Sequence, residues 1–119
     1  MPYIQVRTAA KVTEQQEYAI KSLLGEKLPL MTGKHEGVLM VELEDSCRLY
    51  YKGLKEPAAA YVCVALNNKP VPEEELLAFA KEVFLGLHEI LGIELSRINL
   101  TFQAQSLWCS DRNLTFDEV

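Results

Sequence analysis

The sequence predicts a single α/β (α+β) domain built from two successive strand–helix–strand units, and three observations support this prediction. The chain has 119 residues, which suits one compact domain. Hydrophobic residues make up 49% of it, enough for a packed core and too many for a disordered chain. Two segments repeat apolar residues at helical spacing, and each is flanked by segments that read as strands. The predicted domain covers residues 1–119.

The first unit opens with a short strand over residues 4–7. Thr13 and Gln16 have the spacing of a capping box and mark the start of a helix. Gly33 is predicted to follow the end of that helix. Residues 38–43 alternate as the second strand. The apolar face of the predicted helix consists of Ala19, Ile20, Leu23, Leu24 and Leu28.

The second unit follows a short extended piece with a turn at residues 50–53. The apolar run 58–66 predicts a strand that is buried on both sides. Pro72 is predicted as the first helical residue and Gly92 as the residue that closes the helix. Residues 97–103 alternate as the last strand. The helix face consists of Leu76, Ala80, Val83, Leu87 and Leu91.

Two crossovers of this kind place both helices on one face of a four-stranded sheet. The other face is then uncovered, and the run 58–66 should make it partly apolar. An uncovered apolar face predicts burial in an oligomer.

The charge and the N-terminal sequence restrict the possible partners. The net charge of -5 and the isoelectric point near 5.0 argue against nucleic acid. A small anionic substrate held by one or two cations stays possible. The first residues do not resemble a signal peptide, and no apolar run is long enough to span a bilayer. We therefore expect a cytoplasmic protein that binds no membrane.

The cysteines and histidines predict no metal or redox site. Cys47, Cys63 and Cys109 have neither zinc-ligand nor CxxC spacing, so reduced structural thiols are expected. His35 and His88 are too scattered for a metal site. We expect no cofactor.

Pro2 and Lys34 are the two candidates for chemistry. Removal of Met1 would expose Pro2 as a secondary amine, and an apolar pocket or a nearby cation would lower the pKa of that amine and leave it a neutral base. Most chains that begin Met-Pro have no such role. Lys34 could hold a substrate carboxylate or an enolate oxygen, although a solvated lysine after a helix-end glycine is the more common case.

The overall pattern resembles the family of macrophage migration inhibitory factor and D-dopachrome tautomerase, within the tautomerase superfamily. The resemblance rests on Pro2, the segment 32–34, the two strand–helix–strand units, and Trp108 with Phe116. Cys63 also falls on a family cysteine, and residues 96–98 resemble the turn into the last long strand. The resemblance covers nearly the whole chain.

The resemblance implies a cofactor-independent isomerase that interconverts keto and enol forms of a small α-keto acid. Pro2 maps to the catalytic base and Lys34 to the family lysine. It implies a homotrimer with each pocket between neighbouring subunits. The expected substrate-binding residues are Tyr3, Asn67, Asn68, Asn99, Thr101, Trp108 and Phe116.

Several positions depart from the family pattern. Asn99 and Thr101 stand where the mammalian proteins have a tyrosine and an asparagine, and Asn67 and Asn68 replace a serine–isoleucine pair. The pocket should therefore be more polar than one that accepts phenylpyruvate. The CxxC motif is reduced to Cys63, and the segment after Trp108 is longer.

Two alternatives remain open. The first is a cytokine-like signalling or binding protein with an incidental pocket and a receptor, secreted by a non-classical route. The second is proline-assisted hydration, with dehalogenation or decarboxylation as the outcome. That chemistry generally needs further arginines near the proline, and the candidates are Arg7 and Arg48.

Overall fold

The computed structural model describes residues 2–67 and 69–117. Its elements follow the predicted order, with two strand–helix–strand units in succession. Three short 3₁₀ turns lie at Leu28–Leu30, Glu36–Val38 and Leu95–Arg97. The main elements are β1 (Tyr3–Thr8), α1 (Glu14–Lys27), β2 (Met40–Glu44), β3 (Ala60–Asn67), α2 (Glu73–Leu91) and β4 (Ile98–Gln105).

The four strands form one sheet in the order β2-β1-β3-β4. Within each unit the two strands are parallel, and the two units meet through the antiparallel pair β1–β3. The predicted fold class is confirmed. We call the end of the sheet where β1 and β2 start and β3 and β4 finish the Pro2 end. The opposite end, where β3 and β4 start, is the Arg97 end.

The core lies between the sheet and the two helices. Alternate residues of β1 and β3 are fully buried on the helix side, as the period of two in a strand requires. Both helices contribute to the same cluster, so the two units share one core. Its largest fully buried side chains include Phe79, Ile4, Ile20, Leu24, Leu28, Met31 and Leu87.

The other face of the sheet is left uncovered by the helices, as predicted. The alternate residues Tyr61, Cys63 and Ala65 of β3 are half-buried on this face in the single chain, and burial of the strand on both sides stays a prediction for the oligomer. The neighbouring positions are largely polar, because the register sets Gln5 beside Cys63, and Cys63 beside Thr101. The apolar character of this face therefore comes from β3 and from Met40, which is 64% exposed.

The helix boundaries follow from local chemistry. The capping box at the start of α1 is confirmed: the Thr13 hydroxyl accepts from the backbone N–H of Gln16, and the Gln16 side chain accepts from the backbone N–H of Thr13. The helix ends at Lys27, because Pro29 has no backbone N–H with which to continue the α-helical hydrogen bonds, and a 3₁₀ turn follows before Gly33. Gly33 occupies a turn with φ of 85°.

The second helix begins one residue later than predicted, with Pro72 as its N-cap. Gly92 closes it in the left-handed conformation with φ of 71°, which confirms that prediction. The two helices pack so closely at Gly86 that a Cβ there would collide with a methyl of Leu23. Neither of these two described helices is both long and apolar enough to cross a membrane.

Candidate active site

Pro2 is buried at the start of β1. Its carbonyl oxygen accepts a hydrogen bond of 3.0 Å from the backbone N–H of Met40, which ties it to β2. On the other side, Tyr3 pairs with Ala65, so the antiparallel register brings Pro2 alongside Leu66. Asn67, the last residue of β3, is the next position outward. Pro2 and Asn67 therefore share one end of the sheet.

The segment after α1 brings Lys34 to this same end. The backbone N–H of Lys34 donates to Met31 at 3.0 Å and closes the turn that contains Gly33. Glu75 at the start of α2 accepts from both the backbone N–H and the hydroxyl of Thr32, at 2.8 and 2.9 Å. The turn is thus fixed against the second helix, two residues from the lysine.

The Lys34 ammonium donates to the side-chain oxygen of Asn67 at 2.8 Å. Its residue is only 7% exposed, and within the described chain no carboxylate lies within ion-pair distance of it. Burial, with a smaller contribution from the positive charge of Lys69, lowers the pKa of Lys34 from its ordinary value of 10.5. A buried cation whose partner is a neutral amide is well placed to receive an anion.

A groove of about 360 Å³ opens beside Asn67. Its lining includes Lys69, Gln105 and half-buried Trp108. The Trp108 carbonyl accepts from the side-chain amide of Asn113 at 2.6 Å, which folds the segment after β4 back on itself. Trp108 and Asn67 thus line the same groove, and the role of Trp108 in a substrate pocket stays a prediction.

Tyr3 points to the open face of the sheet. Its hydroxyl donates to the carboxylate of Glu42 on β2, which also accepts from the Gln5 amide at 3.0 Å. That hydrogen bond, together with burial and the charge of Glu42, raises the pKa of Tyr3 above 10.0. The phenol is thus a protonated group already engaged with Glu42.

Asn99 and Thr101 lie near the Arg97 end of β4, away from Pro2. Asn99 pairs with Tyr61 in the register, and the Thr101 hydroxyl is 2.8 Å from the Tyr61 hydroxyl. Tyr61 lies six positions before Asn67 on β3, or about 20 Å at 3.3 Å per residue, and Cys63, which pairs with Thr101, lies four positions before it, or about 13 Å. Asn99 also lines a hollow of about 160 Å³ beside Tyr51. One copy of the chain does not bring these two residues to Pro2.

The remaining predicted residues fall elsewhere. Phe116 is 59% exposed and does not line the groove. Asn68 lies outside the described residues. Arg7 pairs with Glu44 at 3.4 Å near the far end of β1, and Arg48 is exposed after β2. Neither arginine is at the Pro2 end. In the described ranges, no cluster of three or more histidine, cysteine or acidic side chains is arranged to hold a metal ion.

Comparison with solved structures identifies the architecture. The chain superimposes on MIF2 of Leishmania major with a TM-score of 0.85 and 18% identity, covering 93% of this chain and 94% of the other. This chain has the fold of macrophage migration inhibitory factor. The macrophage migration inhibitory factor of Oncomelania hupensis gives a TM-score of 0.78 and 21% identity over 98% of this chain and 83% of its own.

A third solved structure with the same fold is that of a protein inactivated by a small keto acid. Pt0534, inactivated by 2-oxo-3-pentynoate, matches with a TM-score of 0.77 and 12% identity over 87% of this chain and 85% of its own. No protein-family model and no curated protein sequence matches this chain. The migration inhibitory factor fold is therefore recognised here through backbone geometry.

Five residues that line the groove were missed by the sequence analysis: Lys69, Gln105, Ser106, Leu107 and Asn113. Gln105 continues the polar alternation of β4 two residues beyond the predicted strand end, and that alternation could have signalled it. Lys69 carries no local signal, since a lysine before a proline in a loop is ordinary. Only the fold shows that its backbone N–H contacts the same Asn67 oxygen that binds Lys34, at 3.3 Å.

Proposed function

We propose that this chain is a cofactor-independent tautomerase that interconverts the keto and enol forms of a small α-keto acid. The observation that carries the proposal is the Lys34 ammonium, which is buried without a carboxylate partner among the described residues at the end of the sheet where Pro2 begins. A base and a cation for the developing oxyanion are the two groups that enolisation requires.

In the proposed reaction the Pro2 amine removes a proton from the carbon next to the carbonyl. The electron pair of that C–H bond forms the enolate double bond, and the negative charge moves to the carbonyl oxygen. Lys34 stabilises this charge, since only one of its three N–H donors has a partner among the described residues. The protonated amine then delivers the proton to the oxygen, which gives the enol.

The mechanism requires that Pro2 be the N-terminal residue, because an amide nitrogen is not basic. Burial of Pro2 and the nearby charge of Lys34 would both favour the uncharged amine, which is the form that accepts a proton. Removal of Met1 is therefore part of the proposal. The intact mass of the purified protein shows whether Met1 has been removed.

We propose further that the site is completed by a neighbouring copy in a homotrimer. Asn99 and Thr101 can meet Pro2 only if they come from another subunit, as their distance along the sheet indicates. Exposed apolar side chains, among them Leu107 at 77% and Met40 at 64%, offer surface for that contact. The radius of gyration of 15.4 Å exceeds the roughly 13.5 Å typical of a compact domain with this number of residues.

Covalent labelling by 2-oxo-3-pentynoate tests the role of Pro2. A free secondary amine would add to the alkyne carbon conjugated with the ketone: the N–C bond forms, one π bond is consumed, and the amine proton moves to carbon. We expect one equivalent of label on the N-terminal peptide by mass spectrometry, together with loss of enol ketonisation followed by ultraviolet absorbance.

Two variants separate the amine from the fold. A form with a residue retained before Pro2 should neither react nor ketonise enols. Pro2→Gly keeps a mobile primary amine and should lose about 10²-fold in kcat/KM. Full activity with the amine blocked would remove Pro2 from the mechanism and favour the cytokine-like binding protein.

A further inference from the structure

The loop at residues 31–34 carries Lys34 to the Pro2 end through two exposed residues. Met31 and Lys34 are buried, while Thr32 and Gly33 between them are exposed. Gly33 has a φ of 85°, and a Cβ there would meet no described atom within 4 Å, so side-chain packing does not hold this turn. The direction of Lys34 therefore depends on what holds Thr32.

Glu75 holds Thr32 with both oxygens of its carboxylate. One oxygen accepts from the backbone N–H of Thr32 at 2.8 Å, and the other accepts from the hydroxyl at 2.9 Å. Glu73, Glu74 and Glu75 all lie in the first turn of α2, where acidic side chains complement the helix dipole. Among the described residues, Glu75 alone of the three binds another segment of the chain. Its contact with Thr32 is thus separate from any effect on the helix dipole.

The opposite side of Lys34 has a weaker anchor on α1. Glu36 pairs with Lys21 at 3.3 Å, and because both side chains are about half exposed, the pair contributes little. The Glu36 carboxylate also lies over Gly25, where an added Cβ would collide with it. The end of a glutamate side chain is flexible, so this contact does not fix the loop backbone. Glu75 is the firmer of the two helix contacts.

Glu75 and Asn67 belong to the same connection of the second unit, which runs from the end of β3 to the first turn of α2. Asn67 accepts from the Lys34 ammonium at 2.8 Å, and Glu75 binds the backbone two residues before the lysine. One contact holds the tip of the lysine side chain, and the other holds the chain that carries it. The second unit thus orients the lysine of the first.

We propose that Glu75 is a positioning residue for Lys34, which acts through its two hydrogen bonds to Thr32 and not through its charge. This inference rests on the proposed function for the catalytic role of Lys34. Without Glu75 the loop should move, and the ammonium should lose its place beside Asn67. A misplacement of about 1 Å in a catalytic site can cost about 10²-fold in rate.

Competitive acylation of the full chain with acetic anhydride, followed by mass spectrometry, measures the pKa and reactivity of each lysine without a substrate. Burial lowers the pKa of Lys34 from 10.5. In Glu75→Ala, release of the loop should raise the pKa of Lys34 toward 10.5 and speed its acylation. Loss of the carboxylate charge alone would lower that pKa further, because a nearby anion favours the ammonium. Position and charge thus predict opposite signs. Lys81, exposed on α2, is the internal reference.

Three variants separate the hydrogen bonds from the charge. Glu75→Gln can keep both bonds, because its oxygen can accept from the Thr32 N–H and its amide can donate to the Thr32 hydroxyl oxygen. We expect unchanged acylation of Lys34 in this variant, and a kcat/KM for enol ketonisation within about threefold of wild type. Glu75→Ala should lose about tenfold in kcat/KM. Thr32→Val leaves α2 unaltered and removes one hydrogen bond, so it should lose about threefold.

Glu74→Ala is the matched control, because it removes the same charge from the same turn of α2 at an exposed position. It should change neither acylation nor ketonisation. An unchanged or lowered pKa of Lys34 in Glu75→Ala, an equal response in Glu74→Ala, or a Glu75→Gln variant as defective as Glu75→Ala would overturn the inference. If Glu75→Ala does not fold, Thr32→Val decides, and unchanged acylation of Lys34 in that variant would overturn the inference as well.

The outcome for the proposed function is read separately. Glu75-dependent acylation of Lys34 in a chain that ketonises no enol would leave the placement of Lys34 standing and contradict the tautomerase proposal. Ketonisation by the wild-type chain, with both acylation and activity unchanged in Glu75→Ala, would do the reverse.

Discussion

The two ends of the sheet each hold one buried cation, and their surroundings differ. Lys34 and Arg97 occupy corresponding places, since each follows the helix and precedes the second strand of its unit. They are 7% and 5% exposed. Because β1 and β3 are antiparallel, the two units place these cations at opposite ends.

Arg97 has a structural role. Its guanidinium donates to the carbonyl oxygens of Tyr51 and Leu54 at 3.0 and 2.8 Å and lies 5.4 Å from the centre of the Tyr51 ring. These contacts fix the turn at residues 51–54 against the start of β4. Lys34 has one side-chain amide as its partner, which a ligand can share or displace. Burial of a cation is thus no sign of function until its partners are known.

The largest expected effect comes from Lys34→Ala. Removal of the cation at the developing oxyanion should reduce kcat for enol ketonisation by about 10²–10³-fold. Chemical unfolding should show no loss of stability, because the wild-type charge is buried without an ionic partner among the described residues. Loss of several kcal/mol of stability would instead make Lys34 a structural cation like Arg97.

Arg97→Ala should give the opposite result. The two carbonyl groups at Tyr51 and Leu54 lose their charged donor, and we expect a loss of about 2–4 kcal/mol in the free energy of unfolding. Arg97→Lys should recover only part of it, because a lysine cannot reach both carbonyl groups with the same planar geometry. Urea denaturation measures the free energy of unfolding of both variants. Unchanged stability of Arg97→Ala would contradict a structural role for Arg97.

Mixing two defective variants tests whether the ends meet in an assembly. Lys34→Ala damages the Pro2 end, and the double variant Asn99→Ala/Thr101→Ala damages the opposite end. If every site combines both ends from neighbouring subunits, equal mixing after unfolding and refolding should restore about a quarter of wild-type activity. No recovery, or full activity of the double variant alone, would confine the site to one subunit.

The smallest expected effect is on the pH dependence of stability. The folded-state pKa of Lys34 is lowered, so the charged form is disfavoured in the native state. Stability should therefore rise as the pH rises from the lowered pKa toward 10.5, and fall again as Lys34 gains its proton below that range. Subtracting the stability profile of Lys34→Met from the wild-type profile isolates this contribution. A difference of the opposite sign would place an anionic partner beside Lys34.

The sequence predicted the architecture well where local signals exist. The capping box at Thr13 and the left-handed Gly92 are set by neighbours within four residues, and both were found at the expected places. Gly33 was expected after the end of α1, and it follows that end by six residues because Pro29 and a 3₁₀ turn intervene. The uncovered face of the sheet was also predicted, since two successive strand–helix–strand units place both helices on one side.

The candidate site was predicted less completely because its contacts join distant parts of the chain. Lys34 was found through a family resemblance, yet its contact with Asn67 spans 33 positions. The Arg97 contacts with Tyr51 and Leu54 span 46 and 43 positions. No spacing rule relates such residues. Lys69 in particular becomes noticeable only when the end of β3 is seen beside the segment after α1.

The antiparallel junction of β1 and β3 also has a consequence for how such a protein can evolve. Each end of the sheet combines the helix-to-strand loop of one unit with the strand-to-helix loop of the other. A change in the loop at residues 28–39 alters the end that holds Lys34 and leaves the Arg97 contacts untouched. Because this end also contains the loop after β3, substitutions in either half of the gene can change the surroundings of Lys34 without altering those of Arg97.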